Sequence, residues 1–131
     1  MIEEISVIAR ETLEARFVFT ALFDQDGSFT RTSSVGYAPN LHECLSRDLS
    51  TNELLRVALD AKKPFRVRDV RKYKYAPSIS LDHNMLRGLI IIPLRLHGVS
   101  IGAILGFGKQ GGIFFSEKDE SLAKLLARQA S

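Results

Sequence analysis

The chain of 131 residues holds a single cysteine, Cys44, no tryptophan and only four prolines. A lone cysteine closes no internal disulfide and builds no structural zinc site by itself. The most apolar stretch, Leu89 to Leu94, is far shorter than the roughly 20 residues of a membrane-spanning helix. The start, Met1-Ile2-Glu3-Glu4, lacks the basic opening and apolar run of a secretory signal. Repeats, low-complexity tracts and internal linkers are absent too. These absences imply a cytoplasmic protein without a membrane partner. What is present is an ordinary globular composition, 45% apolar and 25% charged, in a length that fits one core rather than two.

The net charge of +3 conceals an asymmetry. Between Lys62 and Lys74 lie Lys62, Lys63, Arg66, Arg68, Arg71, Lys72 and Lys74, opposed only by Asp69. That window is +6, leaving −3 for the rest of the chain. The basicity is local and asks for a local explanation.

Periodicity supplies the elements. In "IEEISVIARETLEA", Ile2, Ile5, Ile8 or Ala9, and Leu13 recur at helical spacing. "RFVFTALFD" is apolar on both faces, which predicts an interior strand covered on both sides. "DQDG" (residues 24–27) has turn chemistry, and the Ser/Thr-rich "SFTRTSSVG" after it completes a hairpin. "YAPNLHECLSRD" is irregular, with a short helical turn. Ser50-x-x-Glu53 has capping-box spacing and opens a helix whose stripe is Leu54, Val57, Ala58 and Ala61, ended by Pro64. "PFRVRDV" reads as a short strand. Residues 71–86 have no clean period, and connections of this length in compact domains are usually functional or disordered. Two strands, 87–96 and 99–108, then meet at His97-Gly98. Pro93 in the first cannot donate to a ladder, so it should face solvent or a bulge. Ser116-x-x-Asp119 caps a last helix with Leu122, Leu125 and Leu126 on one face.

The predicted fold class is α+β: a central antiparallel sheet of five to six strands, flanked by N- and C-terminal helices. The last helix ends without a C-cap glycine, which reads as a piece of a longer chain.

Four stretches resemble the GAF domain family: "ALFDQDGSFTRTSSVGYAP", "KKPFRVRDV", "LRGLIIIPLRLHGVSIGAILGFGK" and "FFSEKDESLAKLLARQAS". They carry, in order, an early hairpin turn, a P-x-x-V-x-D ending, a strand ending in "PL" followed by a glycine turn, and an F-x-x-x-D before the last helix. The resemblance spans nearly the whole chain and implies one domain, 1–131, cut from a multidomain protein. It implies a sheet ordered second, first, last, next-to-last, with helices on one face and a small ligand on the other beneath the long loop. On that view Gly102 and Gly106 either leave room for a ligand or accommodate packing. The implied role is sensory or regulatory, within proteins such as histidine kinases, cyclic-nucleotide enzymes or transcription regulators.

The chemistries of the family can be tested on the residues. Cyclic-nucleotide-binding members carry N-K-x(n)-F-x-x-x-D-E. Lys109, Phe115, Asp119 and Glu120 match it, but Gly108 stands in the place of the Asn. A Lys109–Asp119 ion pair tying the last strand to the last helix is the structural alternative. Bilin-binding members need a thioether cysteine shortly before an Asn-Met pair. Asn84-Met85 is present, and Cys44 lies too early for that attachment. Sulfoxide-reducing members need a second thiol to resolve the sulfenic acid, which a chain with one cysteine lacks. No acid–base set or nucleophile elbow appears, so no enzyme is expected. His83 is the residue that would ligate a haem iron, against the commoner role of a solvated loop histidine.

The basic cluster "FRVRDVRKYKYAPSISLDH" remains. Arginine forks suit carboxylates and phosphates, tyrosines offer stacking faces and hydroxyls add directional bonds. The candidate ligand-binding residues are Arg66, Arg68, Asp69, Tyr73, Tyr75, Ser78, Ser80, His83 and Arg87, for an anionic or aromatic small molecule of unknown identity. A net +3 is too modest to favour nucleic acid. The expected mechanism is ligand occupancy under residues 71–86 shifting the terminal helices, which lead to an effector domain in the same chain. The rival is a ligand-free homodimerisation module in which Ile2/Ile5 and Leu122/Leu125 pair with a second copy.

Overall fold

A computed structural model describes residues 2–24, 29–36, 57–58, 60–69, 87–112 and 114–130. In chain order the elements are α1 (Ile2–Leu13), β1 (Ala15–Phe23), β2 (Phe29–Gly36), β3 (Phe65–Val67), β4 (Leu89–Leu96), β5 (Val99–Lys109) and α2 (Glu117–Ala130). The strands form one antiparallel sheet in the order β2-β1-β5-β4-β3. This is the order that the family resemblance implies, with β3 added at the edge.

Register fixes the two faces, because directly paired residues share a side. Val18, Gly106, Ile90 and Arg66 lie in one row across the sheet, and Phe17, Phe107 and Leu89 in the next. The first face packs on both helices: Val18, Ile90, Ile92, Leu94 and Ile104 join Ala9 and Leu13 of α1, Ala123 and Leu126 of α2, and Phe115. The second face is just as dry, with Phe17, Phe19, Ala21, Leu89, Ile91, Leu105 and Phe107 all buried. Its Phe17 and Phe107 rings meet at a centroid distance of 6.3 Å and a tilt of 53°. The alternation of Phe17, Phe19, Ala21 and Phe23 against Val18, Thr20 and Leu22 therefore belongs to an interior strand buried on both sides, as the sequence predicts.

Hairpin β4–β5 turns at His97 and Gly98, whose φ values of 53° and 79° are the left-handed pair that a tight two-residue turn needs. Pro93 pairs with Ala103 beyond the reach of β3, which stops at Ile91, and a bulge follows between Leu94 and Arg95. The N-terminal stripe resolves to Ile2, Ala9 and Leu13, while Ile8 is 51% exposed. Ser6 completes the buried row, its Oγ lying 2.8 Å from Thr20 Oγ1 and 3.1 Å from the Ile2 carbonyl. In α2, Ala123 and Leu126 are buried and Leu125 faces outward. The pairing stripe drawn through Ile2 is thus corrected, because Ile2 is buried in its own core.

Gly102 and Gly106 of β5 serve packing by the chain itself. A methyl group at Gly102 would run into the Ala21 carbonyl oxygen, and one at Gly106 would sit 3.0 Å from Ile90 Cγ2 and 3.8 Å from Phe115 Cζ. The predicted helix over 50–63 is described only near its end, where Ala61 N–H donates to the Val57 carbonyl at 3.0 Å and Ala58 is buried. Its Ser50–Glu53 cap, the 25–27 turn and Cys44 lie outside the described residues. No helix among the described residues is long and apolar enough to cross a membrane.

Candidate functional site

Strand β3 carries the candidate site. Its alternation sends Arg66 to the helix side of the sheet, and one residue past the strand Arg68 follows on the same side. Both meet the segment that enters α2. Arg66 Nη1 donates to the Phe115 carbonyl at 3.2 Å, and its Nε lies 3.3 Å from Glu120 Oε1 in the first turn of α2. Arg68 stacks over the Phe114 ring, 4.8 Å from its centroid. Between β3 and this segment lies a cleft of about 490 Å³, lined by Phe65, Arg66, Val67, Arg68, Phe114, Phe115 and Glu120.

Asp69 and Arg87 stand at the two ends of residues 70–86. Arg87 donates from Nε (3.1 Å) and Nη2 (2.8 Å) to Asp69 Oδ2, and the Asp69 side chain is only 8% exposed. This pair closes the base of the long connection. The predicted set therefore divides in two: Arg66 and Arg68 line the cleft, and Asp69 and Arg87 bind each other. Tyr73, Tyr75, Ser78, Ser80 and His83 lie outside the described residues, as does the Asn84-Met85 pair. The lining residues Phe65, Val67, Phe114, Phe115 and Glu120 were missed. For Phe115 and Glu120 the signal was the F-x-x-x-D-E stretch, read as a helix start rather than as a wall.

The expected Lys109–Asp119 pair is present at 2.8 Å. Lys109 Nζ also donates to the Leu13 carbonyl at 3.0 Å, capping α1, and to Glu14 Oε1 at 3.3 Å. Asp119 accepts from Ser116 N–H at 2.8 Å while its own N–H lies 3.3 Å from Ser116 Oγ, the reciprocal capping box. Burial by itself would raise the Asp119 pKa, but the hydrogen bonds from Lys109 and Ser116 hold it below the ordinary aspartate value. Burial would likewise lower the Lys109 pKa, yet Asp119 and Glu14 hold it above the ordinary lysine value. One ammonium thus joins the end of α1, the end of β5 and the start of α2. Among the described residues no cluster of His, Cys, Asp and Glu is arranged to hold a metal ion.

The family model for the GAF domain matches residues 1–131. The chain is similar in structure to the GAF domain/HD domain protein from Geobacter sulfurreducens, at 18% identity and a TM-score of 0.74, over 98% of this chain and 86% of that one. A domain of a putative two-component sensor histidine kinase from Sinorhizobium meliloti aligns at 18% identity and a TM-score of 0.67, covering 98% and 84%. A type II free methionine-R-sulfoxide reductase from Thermoplasma acidophilum aligns at 18% identity and a TM-score of 0.65, covering 98% and 88%. At such identities the likenesses bear on fold, and they include both signalling-type domains and an enzyme. No match was found among curated proteins. From its first to its last residue, the chain belongs to the GAF domain family.

Proposed function

We propose that this GAF domain is a small-molecule-binding sensory module of a bacterial-type signal-transduction protein, relaying occupancy through its terminal helices to an effector domain in the same chain. The observation that carries the reading is the reach of Arg66. Three residues before the Asp69 clamp, it holds both the Phe115 carbonyl and Glu120 at the start of α2. A ligand that moved the base of 70–86 would move β3, and with it the first turn of the C-terminal helix. A shift of population between two settings of α2 is all that such a relay requires. We place the module outside the enzymes, because the chemistry of its reductase neighbours needs a resolving thiol that a single cysteine does not supply.

Native mass spectrometry of the purified chain, before and after denaturation and over a range of concentrations, tests this. A co-purifying mass that remains on the folded chain and leaves on unfolding is the expected result. An Arg66→Ala change should reduce its retention. A chain that carries no added mass at any concentration, and whose α2 amides do not respond to the small molecules offered to it, overturns the reading.

A second reading, homodimerisation through the terminal helices, draws on Val7 (43% exposed), Ile8 (51%) and Leu125 (52%), large apolar side chains on the outer faces of α1 and α2. Sedimentation of the wild type against an Ile8→Lys, Leu125→Lys variant separates the two readings. Loss of a dimer only in the variant supports the second.

A further inference from the structure

We propose that the cleft beside β3 binds a monoanionic organic carboxylate with a flat apolar body, and that Arg68 is its anchor. The inference rests on the sensory reading above and deepens it by naming a ligand class and a place.

Three observations carry it. The first is size and lining: about 490 Å³ between β3 and the segment entering α2, with Phe114 and Phe115 as apolar neighbours and Arg66, Arg68 and Glu120 as charged ones, gives room for a small molecule with one flat apolar body and one charged end. The second is the state of Arg68. Its guanidinium carbon lies over the Phe114 ring, 4.8 Å from the centroid, and among the described residues it makes no hydrogen bond or ion pair. A cation over an aromatic face still presents the N–H donors along the edge of its planar fork, where a planar carboxylate can take two of them side by side. The third is the charge balance. Arg66 is committed to Glu120 and to the Phe115 carbonyl, which leaves Arg68 as the uncompensated charge among the described residues that line the cleft. One free positive charge matches one negative charge, and the nearby Glu120 carboxylate opposes a second.

The site is also held in place before any ligand arrives. Phe115 is buried in the helix-side core, and Arg66 fastens its carbonyl to β3. Phe114 and Arg68 are thereby set at the spacing at which they stack. A ligand meets a formed wall rather than one it must order, which lowers the cost of binding.

The test is a titration of the isotopically labelled chain, followed by amide and arginine Nε–H resonances, with three probes: benzoate, its neutral isostere benzamide, and the dianion phenyl phosphate. Saturable shifts with benzoate at Arg68, Phe114, Phe115 and Glu120 are expected, with benzamide about tenfold weaker or more, in keeping with a charge-assisted bond. Arg68→Gln should raise the benzoate Kd by a similar factor. Arg68 is exposed, so the variant should keep the wild-type spectrum elsewhere. Phe114→Leu, which keeps the charge and removes the stack, should weaken benzoate as well. Equal affinity for benzoate and benzamide, a preference for phenyl phosphate, no saturable benzoate shift at the cleft, or an Arg68→Gln chain that binds benzoate unchanged would each overturn the proposal. If a co-purified mass persists in Arg68→Gln, the sensory reading stands and only the cleft assignment falls.

Discussion

Arg87 meets Asp69 through two donors on one oxygen, Nε at 3.1 Å and Nη2 at 2.8 Å, across 18 residues of sequence. The carboxylate is nearly sealed from water at 8% side-chain exposure, while the arginine keeps 25%. Removing Arg87 takes two charge-assisted hydrogen bonds from a buried carboxylate, and that cost exceeds the net worth of the pair.

Arg87→Met should therefore destabilise the domain by about 3 kcal/mol, read by urea or thermal unfolding. Adding Asp69→Asn to it should restore part of the loss, because the buried negative charge disappears. A double variant as unstable as the sum of the two singles would show that the residues do not act together.

The Lys109–Asp119 pair predicts a pH dependence of defined sign. Asp119 titrates below its ordinary value, so its contribution is present above about pH 4 and is lost as pH falls through the folded value. Lys109 titrates above its ordinary value, so its contribution is intact below about pH 10 and is lost as pH rises through the folded value. With Asp119 only 3% exposed at its side chain, Lys109→Met should cost about 3 kcal/mol near neutrality. The gap to wild type should narrow below about pH 4 as Asp119 takes up a proton. A gap of constant size from pH 7 to pH 3 would contradict the assignment.

How much of this was legible in the sequence depends on the range of the interaction. The His97-Gly98 turn, the double-sided burial of β1 and the Lys109–Asp119 pair follow from local alternation, turn chemistry and motif spacing. Helical periodicity gave Ile2 and Leu13 but could not choose between the adjacent Ile8 and Ala9, since each is within reach of the same stripe. The candidate site shows the limit. Arg66 and Arg68 stood out as basic residues on a strand, but Glu120 lies 54 residues from Arg66, and no local pattern joins them. Asp69 and Arg87 were both singled out, each for a ligand, when the structure pairs them with each other.

Ser6 is a polar residue in a buried helical row, a position that hydrophobic patterning passes over. Its Oγ and Thr20 Oγ1 lie 2.8 Å apart, and both residues are fully buried. Ser6→Ala should cost about 1–2 kcal/mol, because the Thr20 hydroxyl loses its neighbour where water cannot replace it. Thr20→Val in the same chain should recover stability, since two apolar groups of similar shape leave nothing unpaired. Chemical denaturation of the two singles and the double gives the coupling directly, and a coupling of zero would refute it.

Gly102 and Gly106 in β5 separate backbone from side-chain crowding. At Gly102 the obstacle to a methyl group is the Ala21 carbonyl oxygen, part of the adjacent strand, and it can move only by distorting the β1–β5 ladder. At Gly106 the nearest atom is the Ile90 Cγ2 methyl at 3.0 Å, which a small side-chain adjustment relieves. Gly106→Ala should cost at most about 1–3 kcal/mol, the range of a modest overpacking. Gly102→Ala should cost more than Gly106→Ala, or prevent folding altogether. The ranking is read from the two thermal midpoints, or from the soluble yield where one variant does not fold. If Gly102→Ala proved the milder change, the crowding at Ala21 would not be what keeps glycine at that position.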